Sequence, residues 1–385
     1  MSNFVKRTIL VLLALSFITS VTVFTLSHQG ISRAHAAPSI GVPLSVYFGS
    51  DNDAFYALDA PHGYLRWSYQ YQQGGNRWSP AAVIVGKVFF EVANSTSTAV
   101  QALSTSDGSV RWSFTFPAQT FGKAGIAVIN NIIYFTVDSS NGAGSIYALN
   151  TKDGSVAWTY TASSVDQSFG NPMVVNGVLY ATEKSSITGN TPQLYALNAT
   201  DGTFIWAKGI PGAATTNLAS ANGAIYFGGS GGFLYGVSTT DGSLIWSSRQ
   251  DGGPVSTPIV VKTTVYYASA NYYVTALNTN DGSLLWHYLV GKPFAPTVSP
   301  AFYQGSIYIG SMNQNLYDLQ ATTGSLIWQV KVGVAITTTA AIKNGIIHAG
   351  LQRGSLRTFN TSNGVERWYY HTNGIISTSS PPLEG

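Results

Sequence analysis

The chain has 385 residues, of which 45% are apolar, 13% aromatic and only 9% charged. It has no cysteine, which excludes a disulfide framework, a thiolate metal site, a cysteine nucleophile and a lipidated cysteine behind a leader. Its formal charge of +3 resides in the first 36 residues: without Lys6, Arg7 and Arg33 the 19 basic residues fall to 16, equal to the 16 acidic ones. A neutral body has no long-range field to attract nucleic acid or an anionic membrane, so both are excluded as main partners.

Residues 1–36 read as an export signal. Lys6 and Arg7 form its basic start, Thr8 to Leu26 is an uncharged and mostly apolar run, and Ala34-His35-Ala36 is a small-x-small cleavage site. Cleavage there makes Ala37 the mature start. Uncleaved, the same run is long enough to anchor the chain in a bilayer. Either outcome places the rest outside the cytoplasm, with membrane contact only through that segment. Residues 37–42 then form a short linker and residues 43–385 a single repeat domain.

The repeat is carried by tryptophan. Trp67, Trp112, Trp158, Trp206, Trp246, Trp286, Trp328 and Trp368 are spaced by 45, 46, 48, 40, 40, 42 and 40 residues. Each has a glycine four positions earlier, from Gly63 to Gly364, and five of those glycines follow an aspartate (Asp107, Asp153, Asp201, Asp241, Asp281). Asp-Gly between apolar runs signals a hairpin, because glycine accepts positive φ. Two further strands precede each such hairpin, for example Thr257 to Val261 and Thr264 to Ala268 before Ala276. Four strands in a period of roughly 43 residues predict propeller blades. The fold class expected is all-β: an eight-bladed β-propeller of four-stranded antiparallel blades.

The chain ends suggest how the ring closes. Val46-Tyr47-Phe48-Gly49 is already a second strand, so blade 1 lacks an inner one. Ser379-Ser380-Pro381-Pro382-Leu383 resembles the inner strand Ser256-Thr257-Pro258-Ile259-Val260. The C-terminal strand is therefore expected to complete the first blade, which removes two open sheet edges.

The string Ala-x-(Asp/Asn)-x-x-x-Gly-x-x-x-Trp resembles the tryptophan-docking motif of the pyrroloquinoline-quinone (PQQ) repeat propellers. It occurs in full from Ala57 to Trp67, Ala148 to Trp158, Ala196 to Trp206 and Ala276 to Trp286. Blades 7 and 8 depart most, with Asp318 and Thr358 at the small position. The resemblance covers residues 43–385 and implies that the eight tryptophans wedge between blades, which suits a large flat side chain. It implies no ligand role for them.

The same family divides into PQQ dehydrogenases of alcohols or sugars and non-enzymatic scaffolds, among them envelope-assembly subunits of the BamB type. The dehydrogenases use calcium or a lanthanide, a base aspartate and a vicinal disulfide. The disulfide is impossible here, and six of the twelve aspartates are motif or turn residues. Hard cations need several convergent oxygens. Asp51-x-Asp53 falls in a hairpin, and His62, His287, His348 and His371 show no metal spacing. Gly228 to Gly232 precedes a strand and lacks the lysine of a phosphate loop. No catalytic or metal residue is assigned and no cofactor expected, with PQQ and calcium as the alternative.

The expectation is an exported, monomeric, non-catalytic binding or scaffolding propeller that contacts an envelope or extracellular protein, or a glycan. In this fold family ligands sit on the face that carries the inter-blade loops. The candidates there are Arg77, Trp78, Phe121, Lys123, Asp166, Phe169, Arg249, Asp251, Lys292 and Phe294. Trp78 is the one tryptophan outside the repeat register, and beside Arg77 it suggests a stacking platform.

Overall fold

The structure is a computed structural model that describes residues 44–71, 77–84, 86–94, 98–116, 125–137, 143–163, 167–185, 191–250, 256–269, 271–291 and 298–376. The described strands form eight antiparallel sheets, one per repeat, each built in chain order from an inner to an outer strand. Blade 6 is typical: inner Ile259–Val261, second Thr264–Ala268, third Tyr273–Asn278 and outer Leu284–Leu289. The only helical turn among the described residues is the 3-10 turn Ser230–Gly232, which joins the second and third strands of blade 5.

Burial explains the composition of each strand. Second strands are enclosed on both faces, so they read as continuous apolar runs; all of Ser45–Ser50 is buried. Outer strands expose most residues and bury the tryptophan, as in Val156–Thr161. In every blade that tryptophan lies opposite the small residue of the motif: Trp158 faces Ala148, Trp246 faces Gly236 and Trp286 faces Ala276. A β-bulge follows at once, between Ala148 and Leu149 in blade 3 and at the same point elsewhere. The small residue leaves room for the indole; a Cβ on Gly236 would stand 2.7 Å from Trp246 Cε2.

The other side of each indole covers the turn glycine of the next blade. Trp67 lies over Gly108, Trp158 over Gly202, Trp246 over Gly282 and Trp368 over Gly63. Gly282 has φ +69°, and a Cβ there would meet Trp246 at 2.5 Å, so both backbone and packing demand glycine. The indole N–H then donates to the carbonyl three residues before that glycine: Trp158 to Ala199 O at 3.0 Å, Trp246 to Thr279 O at 2.8 Å and Trp368 to Ala60 O at 3.1 Å. Trp206 is only partly buried and meets Gly242 with the far edge of its ring.

Two blades carry polar residues in the small position. Thr358 is satisfied locally, donating to Trp368 O at 3.1 Å. Asp318 is buried, and one carboxyl oxygen has no partner among the described residues. Burial pushes its pKa up, against hydrogen bonds from Ser306 and Tyr308 that favour the charged form.

Blade 1 has three described strands, Ser45–Ser50, Ala54–Asp59 and Leu65–Gln70. The proposed closing strand, residues 379–385, lies outside the described residues. The chain leading to it reaches blade 1: Ile376 bridges Ser50, and Asp51 N–H donates to Ile375 O at 3.0 Å. Ile376 bears the relation to blade 1 that Ile336 bears to blade 8, where it bridges Leu351. It is buried with Val46, Phe48 and Leu58.

Candidate functional site

Each inner strand starts, and each outer strand ends, on the same face of the ring, the face with the hairpins between second and third strands. The segments entering the blades are pinned there by hydroxyls. Ser79, Thr216, Ser256 and Thr338 accept the N–H of Glu91, Gly228, Ala268 and Gly350, at 2.8, 2.8, 3.0 and 2.8 Å. Between four of these segments lies a cavity of about 400 Å³. Its walls are the inner strands of blades 3 and 4, Ala127–Ile129 and Met173–Val175, with Pro80, Ile126, Asn171, Pro172, Asn217 and Leu218 from the entering chain.

Among the described residues the cavity lining is uncharged. Its polar side chains there are the Asn171 and Asn217 amides, and the rest is aliphatic, proline, glycine or the Met173 thioether. Sequence reasoning missed both asparagines. For Asn171 the signal was present: a polar residue followed by proline opens several inner strands, as Ser79-Pro80, Asn171-Pro172, Thr257-Pro258 and Ser299-Pro300, whereas Asn217 precedes Leu218 and carries no such mark. Proline there holds the preceding residue extended.

The sequence candidates fare unequally. Phe121, Lys123, Asp166, Asp251, Lys292 and Phe294 lie outside the described residues. Arg77 and Trp78 form a short strand along the end of the second strand of blade 2, pairing with Ala93 and Val92, where a loop was expected. Trp78 is 5% exposed, and its indole N–H donates to Ser50 O at 2.9 Å. Phe55 and Phe90 lie against it at 5.7 and 5.4 Å, and its side chain covers Gly49 of blade 1. Trp78 thus packs blade 2 on blade 1 and offers no open ring face for stacking. Ile336 covers Gly310 in the same manner.

Phe169 is likewise buried, in the short strand Gln167–Phe169, with its ring edge-on to Tyr195 at 5.3 Å. Arg249 is exposed just after the outer strand of blade 5, its guanidinium 5.4 Å from the Phe233 ring centroid. Of the candidates whose side chains are described, Trp78 and Phe169 serve seams and Arg249 is exposed on the face.

The opposite face carries the Asp-Gly turns. Asp107, Asp153, Asp201, Asp241 and Asp281 each accept the backbone N–H of the residue two positions on, at 2.9 to 3.0 Å, and its hydroxyl at 2.7 Å. These bonds favour the carboxylate and hold Asp107 down to about 2. Their carboxylates are engaged in turn formation.

PQQ is a tricarboxylate, and with calcium it calls for cations around the acids and carboxylates around the metal. The described lining of the cavity supplies neither, and no group of three His, Asp or Glu that could hold a metal occurs among the described residues. The described residues at this cavity do not fit the cofactor.

Comparison with known proteins places these features in context. The description "outer membrane protein assembly factor BamB" matches residues 51–189, 190–333 and 290–385. No curated protein sequence matches the chain. Among solved structures, BamB from Moraxella catarrhalis superposes with a TM-score of 0.60 at 15% identity, over 80% of this chain and 88% of that one. A europium-containing methanol dehydrogenase superposes at 0.66 and 12% identity, over 80% of this chain and 81% of that one. The computationally designed Ika8 protein gives 0.64 and 12%, over 81% and 92%. Identities this low speak for the shared fold alone.

Proposed function

The chain belongs to the family of outer membrane protein assembly factor BamB, and from that premise we propose that it is an extracytoplasmic binding propeller, not a quinone-dependent oxidoreductase. It engages an envelope or extracellular protein, or a glycan, through the face on which the inter-blade segments meet. The observation that carries this reading is the uncharged cavity at the mouth of the inner strands, with two amides set in an aliphatic wall. Such a lining suits a neutral segment that offers hydrogen-bond donors and acceptors, and suits a tricarboxylate poorly. Arg249, exposed on the same face, supplies a cationic contact there.

The test uses residues 37–385 immobilised and exposed to envelope proteins and to a glycan panel. Asn171→Trp and Asn217→Trp, which fill the cavity, are expected to reduce retention of the bound species at least tenfold. Leu285→Glu on the exposed outer strand of blade 6 should leave it unchanged. Retention that survives both cavity variants and is lost with the outer-strand variant would move the binding site to the rim.

A further inference from the structure

Each second strand places one side chain opposite the motif's small residue, in a row with the docking tryptophan. By register these are Tyr134, Tyr180, Tyr226, Tyr266, Tyr308 and His348 in blades 3 to 8. The tyrosines strengthen the seam to the following blade. In blades 3, 5, 6 and 7 the phenol and the indole of one blade donate to one carbonyl of the next. Tyr134 and Trp158 share Ala199 O at 2.9 and 3.0 Å; Tyr226 and Trp246 share Thr279 O at 3.3 and 2.8 Å. Tyr266 and Trp286 share Ala321 O at 3.0 and 2.9 Å, and Tyr308 and Trp328 share Thr361 O at 3.2 and 3.0 Å. In blade 4, Tyr180 donates to Thr239 O at 3.0 Å. Blade 2 has Phe89 in the row, and there Lys87 Nζ joins Trp112 on Thr151 O, at 2.7 and 3.0 Å.

Blade 8 breaks the pattern, at its seam with blade 1. His348 is fully buried, its ring 5.8 Å from Trp368, and neither ring nitrogen has a partner among the described residues. Trp368 alone donates to Ala60 O, at 3.1 Å. A buried imidazole without partners holds its place only as the neutral form.

We propose that His348 makes the seam between blade 8 and blade 1 the acid-labile joint of the ring, closed while the imidazole is neutral and loosened when it takes a proton. The surrounding charges offer no relief. On its own blade, Lys343 lies on the inner strand, Arg357 on the third and Glu366 and Arg367 on the outer; Glu366 is bound to Arg357 at 3.2 Å. Across the seam, Asp59 is already held by His62 and Arg66, at 2.8 and 2.9 Å. Tyr56 and Tyr370 meet across the seam at 5.8 Å, and burial pushes the pKa of the Tyr370 phenol up. Burial first, and then the Arg367 charge, hold the imidazole down to about 3, against an ordinary value of 6.5.

The sign follows from linkage. The unfolded chain binds the proton more readily, so the stability that the neutral imidazole permits is complete above pH 6.5. It drains away as pH falls from 6.5 towards 3. With those two values the folding constant drops about thirtyfold between neutral pH and pH 5.

The experiment follows urea unfolding of residues 37–385 from pH 7.5 to 5, in the wild type, His348→Phe, His348→Tyr and the exposed-histidine control His287→Asn. The Phe variant keeps a flat apolar ring without a titrating nitrogen, and the Tyr variant also restores a donor to Ala60 O. The expected result is a roughly thirtyfold loss of folding constant in the wild type and the control, reduced to a few-fold in both His348 variants. Hydrogen exchange at pH 5, corrected for intrinsic rates, locates the loosening: amides of Ser45–Ser50 and Glu366–His371 should lose protection before those of blades 4 to 6. A pH response in His348→Phe equal to that of the wild type overturns the proposal, as does early loss at another seam.

Discussion

Trp246→Ala is expected to destabilise the propeller by about 3–5 kcal/mol, read from the midpoint of urea unfolding. The side chain is 7% exposed. Its loss opens a void between Gly236 in its own blade and Gly282 in the next, and neither glycine has a side chain to fill it. The substitution also removes one of the two donors to Thr279 O, leaving Tyr226 at the longer distance of 3.3 Å. Trp246→Phe separates the two effects. It keeps most of the apolar contact and loses the N–H, so it should cost about 1–2 kcal/mol. Trp206→Ala should cost clearly less than Trp246→Ala, because that indole is only partly buried and offers its outer edge to Gly242. Equal costs at the two positions would show that burial does not set the contribution of the docking tryptophans.

Removal of residues 376–385 is the second large change. It takes away Ile376, which is buried against Val46, Phe48 and Leu58 and bridges Ser50. It also removes the segment proposed to complete blade 1. The melting temperature is expected to fall by on the order of 5 °C or more, in keeping with the loss of a few kcal/mol of packing in a domain of this size. Ile376→Ala alone should reproduce part of the fall, since only one apolar side chain is shortened. An unchanged melting temperature in the truncated chain would mean that the tail has no part in closing the ring. This prediction and the acid lability of His348 concern one seam, yet they differ in kind: truncation acts at every pH, the imidazole only under acid conditions.

The eightfold architecture was legible in the sequence because its determinants are local and repeated. Glycine at positive φ and tryptophan four residues on are fixed by the geometry of one hairpin, so each blade writes the same signal again. The alanine of the motif was legible as a pattern, and its cause emerges from the register, which sets the small residue opposite the indole. What stayed hidden was long-range. Trp78 is an aromatic residue in a segment between blades, and nothing local marks it as buried; its partners, Ser50, Phe55 and Gly49, belong to the preceding blade. Phe169 is concealed for the same reason, by Tyr160 of the preceding blade, 6.2 Å away. His348 read as one of four scattered histidines, because its significance lies in the tyrosines that replace it in other blades. The cavity escaped notice because its chemistry comes from uncharged amides and proline, which carry no motif of their own.

These contrasts bear on function as well as on packing. The strongest repeat in the chain serves the seams, and the residues that resemble a recognition patch in the sequence partly serve them too. On the proposed reading, recognition falls to the neutral cavity and the exposed face around it. The most direct test of that account mixes purified residues 37–385 with PQQ and calcium, separates them by gel filtration and records both the cofactor absorbance and dye-linked oxidation of alcohols and sugars. The account predicts that the quinone elutes apart from the protein and that dye reduction stays at the buffer rate. Co-elution of the quinone with substrate-dependent dye reduction would contradict it.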